Sequence, residues 1–89
     1  MKLKLKEGFV LREVAGYTVV VPSGDTLDLN MMISLNGTAG FLWKQLSERD
    51  VTESELVAAL LDEYDVTKAD AELDVKQFVG KLNGYGLLE

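Results

Sequence analysis

Residues 27–46 read LDLNMMISLNGTAGFLWKQL, and the hydrophobic period changes within them. Before Asn36 the apolar residues recur at every second position, the period of a half-buried β-strand. Beyond Asn36 they recur three or four positions apart, the period of one face of an α-helix. The strand positions are Leu27, Leu29, Met31, Ile33 and Leu35, and the helix positions are Ala39, Leu42, Trp43 and Leu46. The chain is therefore predicted to change from strands to helices at Asn36.

Asn36-Gly37 supports two interpretations. Asn-Gly is a strong signal for a tight β-hairpin turn. Asn is also a preferred N-cap, because its side chain accepts a hydrogen bond from the first turn of a helix. Since the residues that follow have the helical period, we favour the helix cap.

The segment before residue 27 is typical of short strands. Val10–Glu13 is followed by the turn signal Ala15-Gly16 and then by Tyr17–Pro22, which is rich in β-branched residues. Pro22 has no N–H to donate and is expected to end its strand. Three antiparallel strands are therefore predicted for the first half of the chain.

Two further helices are predicted from their capping residues. Thr52-Glu-Ser-Glu55 is a capping box, which opens a helix extending to Tyr64. Thr67-Lys-Ala-Asp70 repeats the pattern with a shorter acid and opens a third helix, with Asn83-Gly84 as its expected end. The fold class is therefore α+β, with a three-stranded antiparallel sheet followed by a three-helix bundle.

Length and composition limit the chemistry open to this chain. Its 89 residues form one domain, 1–89, and it has no cysteine and no histidine. Disulfides, Cys/His zinc sites, thiolate nucleophiles and Ser-His-Asp triads are thereby excluded. Asp25 and Asp28 are best explained as turn and strand-edge residues. We expect no catalytic residue, no metal site and no cofactor, and therefore a binding module rather than an enzyme.

Charge and hydropathy suggest where the protein acts. Nine basic against 15 acidic residues give a net charge of −6, which disfavours binding to a phosphate backbone. Residues 1–7, with Lys2, Lys4 and Lys6, are expected to form a flexible basic arm. No signal peptide and no apolar run long enough for a membrane span is present, so a cytoplasmic location without membrane association is expected.

The segment from Asn30 to Leu35 contains neither charge nor proline, the usual protection of a sheet edge. Met31 and Met32 are adjacent, so both faces of this strand carry a flexible apolar side chain. Such a strand at an edge would accept an extended peptide as an added strand. A second copy of the chain would fit the same edge and give a homodimer.

Leu27–Asn36 followed by Ala39, Leu42-Trp43 and Leu46 resembles the PqqD family. The resemblance extends over about residues 8–89. It includes the helix start Thr52–Glu55, Tyr64-Asp-Val, the pattern Asp74-Val-x-x-Phe78-Val-x-x-Leu82 and the closing Gly86–Leu88. Its members are small peptide chaperones, also called RiPP recognition elements. The resemblance implies a winged-helix-like, non-catalytic domain that binds the leader segment of a ribosomally made precursor peptide. The leader is then presented to a separate modifying enzyme, often a radical SAM enzyme.

In the family the leader adds to the third strand over a groove formed with the third helix. Carried onto this chain, the resemblance implies a strand side made by Asn30, Met31, Met32, Ile33 and Ser34. It implies a helix side made by Val75, Phe78, Val79 and Leu82, with Asp74 and Lys81 as a polar rim. The helical period leaves open which of the four apolar helix residues face the core instead.

Two alternatives come from other classes of protein. A winged-helix nucleic-acid binder needs several Lys or Arg residues on its recognition helix. The second helix has none from Glu53 to Tyr64, and the third mixes three lysines with Asp70, Glu72 and Asp74. A purely homodimerising structural domain is the other alternative.

Overall fold

The computed structural model describes residues 2–22 and 33–89. Within them the elements are β1 (Phe9–Val14), β2 (Tyr17–Pro22), β3 (Ile33–Leu35), α1 (Gly37–Glu48), α2 (Glu53–Glu63) and α3 (Lys68–Gly84). The strands form one antiparallel sheet in the order β1-β2-β3. The predicted α+β order of three strands and then three helices is confirmed. The first part of the predicted third strand, residues 27–32, lies outside the described residues.

The β1–β2 hairpin closes through the predicted two-residue turn. Val14 pairs with Tyr17 across it, and Ala15 and Gly16 have φ angles of 52° and 84°. Two successive positive φ angles are characteristic of a type I′ turn, whose twist matches that of the two strands. The turn fixes a register in which Leu11 opposes Val20. On its other side Val20 opposes Ile33, so β2 is the central strand.

All three helices begin at the predicted caps. Asn36 Oδ1 accepts a hydrogen bond from the Ala39 N–H at 2.8 Å, so the helix-cap interpretation of Asn36-Gly37 is confirmed. At α2 both halves of the capping box form between Thr52 and Glu55. At α3, Thr67 accepts from the Asp70 N–H at 3.2 Å. These caps satisfy backbone donors that a helix start leaves without partners.

The end of α3 differs from the prediction at Asn83-Gly84. Both residues are still helical: α3 runs to Gly84, Tyr85 is its C-cap, and Gly86 follows at a φ of 70°. The Gly86 N–H donates to the Asn83 carbonyl and the Leu87 N–H donates to the Leu82 carbonyl. This is a Schellman motif, which needs a left-handed residue after the cap. Gly86 supplies this left-handed residue. Leu82 and Leu87, which the motif joins, are both buried in the hydrophobic core.

One hydrophobic core joins the sheet to the helices. Trp43 is 4% exposed and belongs to this core, as its position on the predicted face of α1 indicates. The strands and helices contribute Val20, Ile33, Leu35, Leu42, Leu46, Leu56, Leu60, Ala71, Val75, Phe78 and Leu82. Val51 and Leu87 close the core from the connecting segments. None of the helices in these ranges is long and apolar enough to cross a membrane.

The N-terminal segment lies against the body, which differs from the free arm expected for residues 1–7. The Leu3 N–H donates to the Val51 carbonyl at 2.6 Å, and the Lys6 N–H donates to the Leu87 carbonyl at 2.8 Å. Leu3 and Leu5 are half-buried against the core. The lysines alternate with these leucines, so the segment behaves as a short extended strand with one apolar side.

Candidate functional site

β3 is an end strand of the sheet. Within the described residues it pairs with β2 and with no other strand, so its second side carries no backbone partner strand. Ile33 and Leu35 are buried in the core, while Ser34 between them is exposed. The edge position on which the peptide-binding hypothesis depends is therefore present in the structure.

Lys81 of α3 reaches this strand directly. Its Nζ donates a hydrogen bond to the Ser34 carbonyl oxygen at 2.5 Å. The two residues are 47 positions apart in the chain, and both are exposed. The contact places the C-terminal half of α3 beside β3, as the family resemblance implies.

A small cavity of about 160 Å³ opens where α3 meets the start of α1. Its polar walls come from Asn36, Thr38, Asp74, Gln77 and Lys81, and Phe78 contributes an apolar side. Asp74, Gln77 and Lys81 are spaced by three and four residues, so they share one face of α3. The cavity combines opposite charges with one aromatic edge, next to the Ser34 carbonyl.

The apolar residues assigned to the helix side mostly face the core. Val75, Phe78 and Leu82 are at most 3% exposed. Val79 is half-buried and packs against the core from its margin. The question left open by the helical period is thus decided for these four residues, and Phe78 alone among them also touches the small cavity.

On the strand side, the structure places Ile33 inside the core and Ser34 at the surface. Asn30, Met31 and Met32 lie outside the described residues. Asp74 and Lys81, expected as a polar rim, both line the cavity. The structure therefore brings together Ser34, Asp74, Phe78 and Lys81 from the predicted set.

Three polar residues of the cavity wall were missed by sequence reasoning, as was Ala39 as a cavity residue. Gln77 lies three residues after Asp74 and four before Lys81, and that helical spacing was a sufficient signal to include it. Asn36 and Thr38 gave no such signal, because their residue types are fully explained by the cap of α1. Thr38 Oγ1 donates to Asn36 Oδ1 at 3.0 Å, so both belong to the cap as well as to the cavity wall.

A larger groove of about 890 Å³ lies between α2 and α3. Leu61 and Leu73, with exposed fractions of 39% and 52%, are large apolar residues of this groove that lie open to solvent. Lys68 and Lys76 line it from α3, and no strand residue contributes to it. By its helical spacing this face of α3 points away from the face that holds Asp74 and Lys81.

The carboxyl of Glu55 has a lowered pKa, and it lies outside both cavities. A hydrogen bond from the Thr52 backbone N–H lowers the pKa of Glu55, with smaller contributions from the Thr52 hydroxyl and the Arg49 guanidinium. Within residues 2–22 and 33–89 no three acidic side chains lie close enough together to hold a metal ion. The β3–α3 site thus offers backbone hydrogen bonds, one lysine, one carboxylate and an apolar edge, which are means of binding.

A family model described as "Coenzyme PQQ synthesis protein D (PqqD)" matches residues 9–88. The chain belongs to the PqqD family. This match spans all three strands and all three helices of the PqqD-family domain, and it confirms the resemblance drawn from residues 8–89. No curated protein sequence matches the chain.

Two solved structures have the same fold as this PqqD-family chain. One is described as "TbiB1 in Complex with the TbiA(beta) Leader Peptide". Its sequence is 24% identical to this chain, and the two folds superpose with a TM-score of 0.73. The match covers 97% of this chain and 94% of that chain. The other, "Lasso peptide synthetase B1 complexed with the leader peptide", is 20% identical with a TM-score of 0.71. It covers 100% of this chain and 99% of the other.

Proposed function

We propose that this PqqD-family protein binds the leader segment of a ribosomally made precursor peptide as an added strand on the free side of β3. It presents the peptide to a separate modifying enzyme, for which the family resemblance implies the radical SAM class. The protein's own contribution is binding and not catalysis. The observation that carries this proposal is the position of β3 at the sheet edge beside α3.

The sheet edge supports the proposal because it has a backbone side without a partner strand in the described part of the chain. An extended peptide placed there would gain main-chain hydrogen bonds, and its alternate side chains would point towards α3. The small cavity between α3 and the start of α1 is linked to β3 through Lys81, which lines the cavity and binds the Ser34 carbonyl. Backbone pairing would supply affinity and the cavity would supply selectivity.

The solved structures of the same fold support the identity of the ligand. Both were determined with a leader peptide bound. The proposed contacts are Ser34 on β3 and Phe78 on α3, with Asp74 and Lys81 as the polar rim and Ile33, Val75, Val79 and Leu82 supporting them from the core side. Asn30, Met31 and Met32 remain candidate contacts from the sequence. The cytoplasmic location also remains a prediction.

The first test is a two-dimensional NMR titration of the labelled protein with a synthetic leader peptide encoded beside its gene. We expect shifts at Ile33–Leu35 and on the cavity face of α3, at Asp74, Gln77 and Lys81. Shifts confined to Leu61, Leu73 and their neighbours would place the peptide in the α2–α3 groove and contradict the proposal.

A matched pair of variants separates the small cavity from the α2–α3 groove. Gln77→Trp puts a bulky side chain at the small cavity and should weaken peptide binding at least about tenfold, or about 1.4 kcal/mol. Leu61→Trp, on α2, puts the same side chain at the α2–α3 groove and should leave the affinity unchanged. Isothermal calorimetry measures both, and the opposite pattern would relocate the site.

Strand addition also predicts a periodic effect of backbone methylation. In an antiparallel or parallel ladder, alternate amides of the added strand face the sheet. Peptides N-methylated at single positions should therefore lose affinity at every second residue. Equal tolerance at all positions would exclude a ladder, even if the peptide binds.

The nucleic-acid alternative is not favoured. The described face of α3 mixes Lys68 and Lys76 with Glu72 around a groove instead of presenting a basic surface. The net charge of −6 opposes association with phosphates. A gel-shift assay at low salt, in which duplex DNA is expected to remain unbound, tests this alternative.

A further inference from the structure

The hydrogen bond between Lys81 and Ser34 is unusual within this molecule. Among the side-chain hydrogen bonds of residues 2–22 and 33–89, it alone joins a helix to the sheet. Its acceptor is a main-chain carbonyl of the end strand, although Asp74 lines the same cavity. The ammonium forms no ion pair with a carboxylate in the described residues.

The other two lysines of α3 provide the contrast. Lys68 and Lys76 lie on the opposite side of the helix, along the α2–α3 groove, and make no side-chain hydrogen bond in the described residues. Lys81 alone is positioned at β3. Its contact is therefore a property of that position and not of lysines on this helix in general.

An end strand without protection is a template for pairing with another strand. Proteins commonly protect such edges with lysine, whose charge is costly to bury beneath an added strand. Ser34 occupies the centre of β3, and its carbonyl is among the acceptors that an added strand would use. An ammonium bound there covers the edge in the absence of a ligand.

We infer that Lys81 guards the free edge of β3 by capping the Ser34 carbonyl, and that a bound peptide displaces it. The guard suppresses edge-to-edge pairing between two copies of the chain. The displacement half of the inference rests on the proposed function, because it concerns the peptide at the same site. The guarding half, the suppression of pairing between two copies by Lys81, involves no peptide.

The guarding half is tested without a peptide. Lys81→Met removes the ammonium and keeps the stem, while Lys76→Met makes the same change on the opposite side of α3. In sedimentation-velocity runs over a range of concentrations, Lys81→Met should self-associate at least about tenfold more readily than wild type and Lys76→Met. Lys81→Arg, which restores a cation, should return to wild-type behaviour.

Circular dichroism melting of each variant confirms that the fold is retained, as expected for changes at exposed positions. Equal association of Lys81→Met, Lys76→Met and wild type would overturn the guarding role. This holds whether all three are monomers or all three are dimers.

The displacement half is tested with the synthetic leader peptide used in the NMR titration. Loss of one competing hydrogen bond should tighten peptide binding to Lys81→Met by about threefold to tenfold. Unchanged or weaker binding would show that Lys81 is not displaced and would overturn this half. If wild type binds no peptide, the proposed function fails, and the sedimentation result still decides the guarding role.

Discussion

Glu55 shows how one side chain couples the start of a helix to pH. Its carboxylate accepts the Thr52 N–H at 3.1 Å and lies 3.3 Å from an Arg49 nitrogen. The Thr52 hydrogen bond is the largest cause that lowers the pKa of Glu55 in the folded protein. A carboxyl whose pKa is lowered by folding stabilises the protein above its unfolded value, about 4.3 for Glu. That contribution is lost as the pH falls through the folded value.

We therefore predict that Glu55→Gln is less stable than wild type at pH 7, and that the difference shrinks on acidification below about pH 4. Gln can still accept the Thr52 N–H but cannot pair with Arg49. Urea unfolding at pH 7 and pH 3 measures the difference. Glu63→Gln, at the other end of α2, is the control for removing a carboxylate outside the capping box. An undiminished gap at pH 3 would contradict the assignment.

At the scale of elements, α3 is the helix that positions the site, and two of the glycines near its C-terminal end, Gly80 and Gly86, have opposite roles. Gly80 lies within the helix, and a Cβ there would meet no atom within 4 Å. Gly86 lies just beyond the helix at a φ of 70°, where an L side chain is strained. The same substitution is therefore expected to act in opposite directions at these two positions.

Gly80→Ala should raise the free energy of unfolding by about 0.5–1 kcal/mol, because alanine loses less backbone entropy in a helix than glycine. Gly86→Ala should lower it by about 1–2 kcal/mol, because the Schellman motif needs the left-handed conformation. Chemical denaturation of both variants measures the effects. Changes of the same sign would show that the end of α3 is not formed by Gly86.

At the scale of the whole molecule, the N-terminal segment closes the side of the core formed by Val51 and Leu87. Lys4 also accepts the Glu89 N–H through its carbonyl and lies 3.7 Å from the Glu89 carboxylate. The two chain ends are thereby joined. Leu3 and Leu5 cover apolar surface that would otherwise be open to water.

Deleting residues 1–7 should lower the free energy of unfolding by about 2 kcal/mol, from the apolar surface of two half-buried leucines and the lost backbone hydrogen bonds. Replacing Lys2, Lys4 and Lys6 with serine keeps the backbone and the leucines, and should cost much less, since exposed ion pairs contribute little. Urea denaturation midpoints compare the two. Equal stability of the deletion and the full chain would support the free arm expected from the sequence.

The sequence alone was sufficient for the order of the elements and for the starts of the helices. These features depend on local chemistry: the change of period at Asn36, the hairpin signal at Ala15-Gly16 and the caps at Thr52 and Thr67 each act within about four residues. The end of α3 was misplaced for the same reason. Asn83-Gly84 and Tyr85-Gly86 both offer a stop, and the contact of Leu87 with the core selects the second.

The tertiary structure decided what the local pattern left open. Helical spacing places the apolar residues Val75, Phe78, Val79 and Leu82 on one face of α3. Only the packing of α3 against the core shows that three of them are buried. The same packing brings Lys81 to Ser34 across 47 residues of chain. No local period encodes such a contact, because it depends on how the helix and the sheet are docked by the core between them. The elements that form the candidate site were thus readable in the sequence, and their relative placement was set by long-range packing.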